Sequence, residues 1–147
     1  MEAKRIALLQ QMPLFGGIRE DALGFLLGVS RDVNLPAGAF FFREGEPGES
    51  MFVLDAGTVE VRKKARRGAL LLSRLGPGDC FGEMALIDLS PRSASVQALE
   101  DCSAFEIFAA SLHQLYQRDL EQFALIQMNM ARELSRRLRA TDERLLG

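Results

Sequence analysis

Gly76-Pro77-Gly78-Asp79-Cys80-Phe81-Gly82-Glu83-Met84-Ala85-Leu86-Ile87-Asp88-Leu89-Ser90-Pro91-Arg92-Ser93-Ala94-Ser95-Val96 is the stretch on which the reading of this 147-residue chain turns. It opens with turn chemistry, and its middle, Phe81–Leu86, interrupts a strand-like pattern with one short helical turn. Gly82 lets the backbone approach a ligand closely, and the free N–H groups of such a turn point outward as anion donors. Arg92 comes ten residues after Gly82, behind Pro91, whose ring fixes the local backbone. A guanidinium set opposite a helix N-terminus makes a two-sided cradle for one phosphate. Ser93 adds a hydroxyl, and Glu83 is an acceptor suited to a sugar hydroxyl. The plainer alternatives are an ion pair between Arg92 and Glu83 at a barrel end, and a strand-capping role for Ser93.

Outward from this segment, Asp32–Phe108 is punctuated by turns at Pro36-Ala37-Gly38, Gly45-Glu46-Pro47-Gly48, Asp55-Ala56-Gly57, Arg67-Gly68 and Gly76-Pro77-Gly78-Asp79. A spacing of about ten residues is that of short antiparallel strands in a sandwich or barrel. The strand-type runs between the turns are Ala39–Phe42, Met51–Leu54, Val59–Arg62, Leu70–Leu72, Ala94–Leu99 and Ala104–Phe108, several of them alternating apolar and polar. Arg62-Lys63-Lys64-Ala65-Arg66-Arg67 falls at a hairpin tip and lacks interleaved aromatics, so it reads as solvated charge.

The flanks are helical. Ile6, Leu8 and Leu9 mark a first helix closed by Met12-Pro13-Leu14-Phe15-Gly16-Gly17, and Arg19–Leu27 a second, with Ala22, Phe25 and Leu26 on one face. After Ser111 a short helix around Leu112–Tyr116 precedes a long one from about Arg118 to Leu146. Leu120, Ala124, Gln127, Ala131, Leu134, Leu138, Thr141 and Leu145 recur there at steps of four and three, a heptad seam. At 1.5 Å per residue that helix is about 43 Å long, more than one face of a small barrel covers, so part of it should meet something else. His113 has no acidic or nucleophilic partner at helical spacing, and Met128 and Met130 read as core or dimer-seam residues.

Composition narrows the function classes. The 18 Lys+Arg and 20 Asp+Glu give a net charge of −2, with no global attraction to nucleic acid. No apolar run approaches the ~20 residues needed to span a bilayer, and the N-terminus lacks the features of a signal peptide. One His, with Cys80 and Cys102 outside any Cys-x-x-Cys, excludes the usual zinc sets and a secreted disulfide scaffold, and points to a reducing cytoplasm.

Phe81-Gly82-Glu83-Met84-Ala85-Leu86 and Pro91-Arg92-Ser93-Ala94-Ser95-Val96 together resemble the phosphate-binding cassette of the cyclic nucleotide-binding domain family. That pattern is Phe-Gly-Glu, an apolar residue and Ala-Leu, then a short spacer and Pro-Arg-x-Ala-Ser/Thr-Val. The glycines upstream, Gly38, Gly45, Gly57 and Gly78, look like this family's β-roll turns. The resemblance implies an α+β fold: an antiparallel β-roll of the double-stranded jelly-roll kind with N-terminal helices and a long C-terminal helix. It implies a single domain over 1–147, with N-terminal helices in 1–30, the roll in 31–109, the cassette at 81–96, and hinge and C-terminal helices in 110–147.

Carried over residue by residue, Glu83 accepts from the ribose 2′-hydroxyl and Arg92 pairs with the cyclic phosphate. Backbone around Gly82, Met84 and Ala85 completes the anion site, Ser93 donates to phosphate, and Ala94 lies in the same ligand-binding set. Thr141 and Asp142 fall where side chains of the long helix reach the base, sometimes from the partner subunit. The expected function is non-enzymatic cytoplasmic sensing of cAMP, with cGMP as the other ligand. The expected mechanism draws the Gly82–Leu86 turn inward, shifts the hinge at 108–116 and repacks the long helix. No metal, DNA or membrane partner is expected. Output passes to a homodimer or an effector protein, because no helix-turn-helix follows the sensor within this sequence, which reads as stand-alone or truncated. The competing reading is a jelly-roll interaction module that no longer binds nucleotide.

Overall fold

A computed structural model of the chain describes residues 2–88 and 90–146. Its contacts separate two compact units, Val29–Ser111, and Met1–Gly28 with Leu112–Gly147.

The first unit holds the strands β1 (Arg31–Leu35), β2 (Phe40–Phe42), β3 (Ser50–Ala56), β4 (Val59–Lys64), β5 (Ala69–Leu75), β6 (Cys80–Phe81), β7 (Ser95–Ala98) and β8 (Cys102–Phe108), with one helical turn, α3 (Ala85–Asp88). They form two four-stranded antiparallel sheets, ordered β1-β8-β3-β6 and β2-β7-β4-β5. The buried cluster of Phe42, Phe52, Leu54, Val59, Phe81, Val96, Ala98, Cys102 and Ala104 draws on both sheets. A register shift in β2 pairs Phe40 with Gln97 and Phe42 with Val96, and this bulge turns two successive phenylalanines to the core. Phe41 then meets Phe52 and Phe81 edge-on at 5.3 and 5.0 Å, while Phe52 and Phe81 stack at 5.4 Å.

All four glycines expected at roll turns, Gly38, Gly45, Gly57 and Gly78, have φ of 89–94°. Gly57 is required twice over, because a Cβ there would also stand 2.6 Å from the Asp101 carbonyl oxygen. The β4–β5 hairpin closes with the Ala65 N–H donating to the Gly68 carbonyl at 3.0 Å. Arg62, Lys63 and Lys64 are still strand residues, so only the end of the basic run forms the tip. Two strands were not foreseen. In β1, Val33 and Leu35 are the apolar residues among Arg31, Asp32 and Asn34; its pairing with β8 defines it. β6 is two residues long, too short for any periodicity to register. Neither cysteine is in a disulfide among the described residues, and burial pushes the Cys102 thiol pKa up.

The helical unit contains α1 (Glu2–Gln10), a 3-10 turn at Pro13–Phe15, α2 (Glu20–Gly28), the C-terminal part of α4 (Ala109–Arg118) and α5 (Leu120–Leu146). The long helix starts at Leu120 rather than Arg118 because Asp119 caps it: its carboxylate accepts from the Gln122 N–H at 3.2 Å. On α2 the buried face is Ala22, Leu23, Leu26 and Leu27, with Phe25 half-buried and stacked under the Arg118 guanidinium at 4.5 Å. The Asn129 amide donates to the carbonyls of Leu14 and Gly16 at 3.1 and 2.9 Å, and Gln122 accepts from the Arg19 N–H at 2.8 Å. Arg19 also pairs with Asp21 and Asp119.

The packed face of α5 is therefore Gln122, Ile126, Asn129 and Met130. The heptad residues Leu120, Ala124, Ala131, Leu138, Thr141 and Leu145 are exposed, with Gln127 and Leu134 half-buried. Met130 is core, whereas Met128 is exposed. His113 is exposed and stacks on Tyr116. Among the described residues no helix is long and apolar enough to cross a membrane.

Candidate phosphate-binding site

Arg92 is set by its own backbone before its side chain does anything. Its N–H donates to the Glu46 carbonyl and its carbonyl accepts from the Gly45 N–H, both at 2.8 Å. The Ser95 hydroxyl takes the Glu44 N–H at 2.8 Å, so the loop at 43–48 is laced along the Arg92–Ser95 strand entry.

The side chain is buried, 8% exposed, with its Cζ over the Phe42 ring 4.0 Å from the centroid. Nη1 donates to the Ser50 carbonyl at 2.7 Å and to the Gly82 carbonyl at 3.4 Å, and Nη2 donates to Ser50 Oγ at 3.1 Å. Nε is buried without a hydrogen-bond partner among the described residues. A guanidinium has five N–H donors in a rigid fork. Three are used, and those left are Nε–H and one Nη2–H, adjacent on the same edge. That edge matches two oxygens of one phosphate or carboxylate. Burial lowers the Arg92 pKa from its ordinary range, with Glu106 and Glu46 acting the other way.

Gly82 borders the same guanidinium. Its φ is 81°, and a Cβ would fall 2.7 Å from Nη1 of Arg92 and 3.2 Å from the Ser50 carbonyl oxygen. The turn after it closes through Ala85 N–H to the Gly82 carbonyl at 3.2 Å and Leu86 N–H to the Glu83 carbonyl at 3.1 Å. The Ala85 N–H foreseen as an anion donor thus already has an acceptor within the turn. Glu83 is half-buried and Met84 exposed.

Ser93 is exposed, and its carbonyl accepts from Lys63 Nζ at 2.8 Å, which ties the basic run to the cassette. Ala94 is buried and offers a ligand only its backbone. Leu89, inside the cassette, lies outside the described residues. Thr141 belongs to the helical unit, where its hydroxyl donates to the Arg137 carbonyl at 3.0 Å. The structure thus gathers Gly82 and Arg92 in direct contact, with Ser93 and Ala94 following Arg92 in the chain. Ser50, Phe42, Gly48 and Lys63 join them without having been foreseen.

The model of the cyclic nucleotide-binding domain matches residues 32–119. The chain belongs to that family. This cyclic nucleotide-binding domain is 30% identical over 139 residues to the CRP-like cAMP-activated global transcriptional regulator of Mycobacterium tuberculosis, covering 94% of this chain and 60% of the relative. The Thermus thermophilus catabolite activator protein superimposes with a TM-score of 0.80 at 32% identity, over 91% of this chain and 62% of that one. The regulatory domain of Toxoplasma gondii PKA, crystallised with cAMP, gives a TM-score of 0.73 at 26% identity, over 77% and 43%. The chain spans about three fifths of the length of the first sequence relatives it matches. The β-roll with a long C-terminal helix expected of a cyclic nucleotide-binding domain is the observed fold.

Proposed function

We propose that this domain is a cytoplasmic cAMP sensor in which Arg92 holds the cyclic phosphate. The observation that carries the reading is the buried guanidinium edge whose Nε has no partner among the described residues, within the stretch the family model matches. A buried cation with two unused donors favours a compact oxyanion, and relatives that match over 94% and 88% of the chain are described as a cAMP-activated regulator and a cyclic AMP receptor protein. In this reading Gly82 and Met84 supply backbone to the phosphate, Ala85 joins them when its N–H leaves the Gly82 carbonyl, Glu83 takes the ribose hydroxyl, Ser93 and Ala94 flank Arg92, and Thr141 serves the base. The domain over 1–147 works as one sensor with no catalytic step. cGMP is the competing ligand.

Occupancy is relayed by the Gly82–Leu86 turn and the 108–116 segment to α5. The bias is limited to the ligand's differential affinity for two arrangements, commonly ~1–3 kcal/mol. The exposed heptad residues Leu120, Ala124, Ala131, Leu138 and Leu145 support a second copy or an effector helix as the receiver.

Calorimetric titration of cAMP and of cGMP into protein unfolded and refolded free of co-purified ligand tests this. Micromolar or tighter binding of cAMP supports the sensor, and preference for cGMP reassigns the signal. No heat and no thermal shift with either leaves an interaction module that no longer binds nucleotide.

A further inference from the structure

We infer that Glu106 is a positioning residue for the ligand-binding arginine, acting through Ser50. The inference rests on the sensor reading above.

Glu106 is an anomaly in its strand. It sits on β8 between Phe105 and Ile107, both fully buried, and is itself only 6% exposed. The register pairs it with Arg31 of β1 on one side and Phe52 of β3 on the other, in the middle of the sheet. A carboxylate in that place needs partners, and its single hydrogen bond among the described residues runs to Ser50. Oε2 accepts the Ser50 hydroxyl at 2.6 Å, whereas Oε1 lies 2.6 Å from Arg31 Nη2 as an ion pair without hydrogen-bond geometry.

The Ser50 bond fixes a direction. A serine hydroxyl has one hydrogen to give. With that hydrogen committed to Glu106, the remaining lone pairs of Oγ are what Arg92 Nη2 meets at 3.1 Å. The bonds therefore run one way, from Arg92 to Ser50 to Glu106, with Arg31 closing the far end. Together with the Ser50 carbonyl they hold the Nη1/Nη2 end of the guanidinium against the protein, which turns the Nε/Nη2 edge toward the ligand. Glu106 also supplies the negative charge that opposes the effect of burial on Arg92. Arg31 is largely exposed, so the Ser50 bond is the part of the relay sheltered from solvent screening.

Glutamine in place of Glu106 removes the charge and brings an amide that can donate to Ser50 Oγ as well as accept from it, so the hydroxyl is free to turn its hydrogen toward the cation and the fork loses its fixed orientation. That predicts a loss of selectivity between the two exocyclic phosphate oxygens as well as a loss of affinity. The probes are cAMP and its two phosphorothioate diastereomers, in which sulfur replaces one or the other of those oxygens. Each is titrated into the full chain as wild type, Glu106→Gln and Ser50→Ala, and the ligand-free melting temperature of each is measured.

Glu106→Gln should weaken cAMP binding by about ten- to a hundredfold and bring the two diastereomers to within about twofold of each other. Ser50→Ala should do the same to a smaller extent, and it carries the test if Glu106→Gln fails to fold. Wild-type affinity and selectivity in a folded variant overturn the relay while leaving the sensor intact. An equal loss for both diastereomers accompanied by a lowered melting temperature also overturns it, since that is a stability effect alone. Absence of cAMP binding by the wild type overturns the sensor reading and the relay with it.

Discussion

Gly48 leaves the space that the Arg92 side chain fills: a Cβ at residue 48 would stand 2.5 Å from Cζ of Arg92 and 2.7 Å from its Cδ. Gly82 is left-handed, whereas Gly48 is not among the glycines with positive φ, so the requirement at 48 is for room alone. Gly48→Ala should therefore fold normally while pushing the guanidinium off Phe42 and Ser50. Its cAMP affinity should fall by about tenfold or more. Unchanged affinity in calorimetry would mean that the arginine is not held where the ligand needs it.

Removing the guanidinium itself is the harsher change. Arg92→Ala should cost ~2–4 kcal/mol of cAMP binding, because it strands a buried phosphate charge. Arg92→Lys keeps a cation but offers no side-on fork, and should recover only part of that loss. Equal calorimetric affinity of wild type and Arg92→Ala would sink the assignment.

Glu83→Ala should cost less than Arg92→Ala and act on the sugar rather than the phosphate. The wild type should prefer cAMP over its 2′-deoxy analogue, and the variant should bind the two nearly alike. A preference undiminished in Glu83→Ala would remove this residue from the ribose.

The turns and most strands were legible because Gly and Pro punctuate the chain where the backbone must reverse, and Gly82 with Arg92 were legible because both lie in one short segment. Ser50 and Gly48 were not, since only sheet pairing brings β3 and the loop before it to Arg92. A signal for Glu106 did exist, in a lone carboxylate inside Ala104-Phe105-Glu106-Ile107-Phe108; a charge in so apolar a strand is seldom there without a partner. On α5 the packed face hid behind Gln122 and Asn129, whose amides hold the N-terminal loop. The stripe that looked apolar is the exposed one.

That loop clamp can be tested directly. Asn129→Ala leaves the Leu14 and Gly16 carbonyls without their donor, and should lower stability by about 1–3 kcal/mol in urea titration. Substitution of Leu138 on the free face should leave the same midpoint in place.

Acid should expose a second source of stability. Arg62 and Arg74, flanking Glu60 on β4 and β5, hold its carboxyl below the ordinary value of 4.5. A carboxylate depressed in the folded state contributes stability above its unfolded pKa, and that contribution disappears as pH falls through the folded value. The gap in melting temperature between wild type and Glu60→Gln should therefore be present near neutrality and close in acid. A gap that persists at low pH would assign the effect to packing.

The outer strand β5 carries a hazard along with its place in the roll. Every residue from Ala69 to Arg74 is exposed, and Leu70, Leu71 and Leu72 lie on a sheet edge beyond which no strand pairs among the described residues. Such a strand is a template for another chain's backbone. The cations at Lys63, Lys64, Arg66 and Arg67 stand beside it as gatekeepers, making the approach of an identical edge a meeting of like charges. The colloidal behaviour of the protein is therefore written into the basic hairpin: polyanions or high salt that mask these charges remove the barrier to edge-to-edge aggregation.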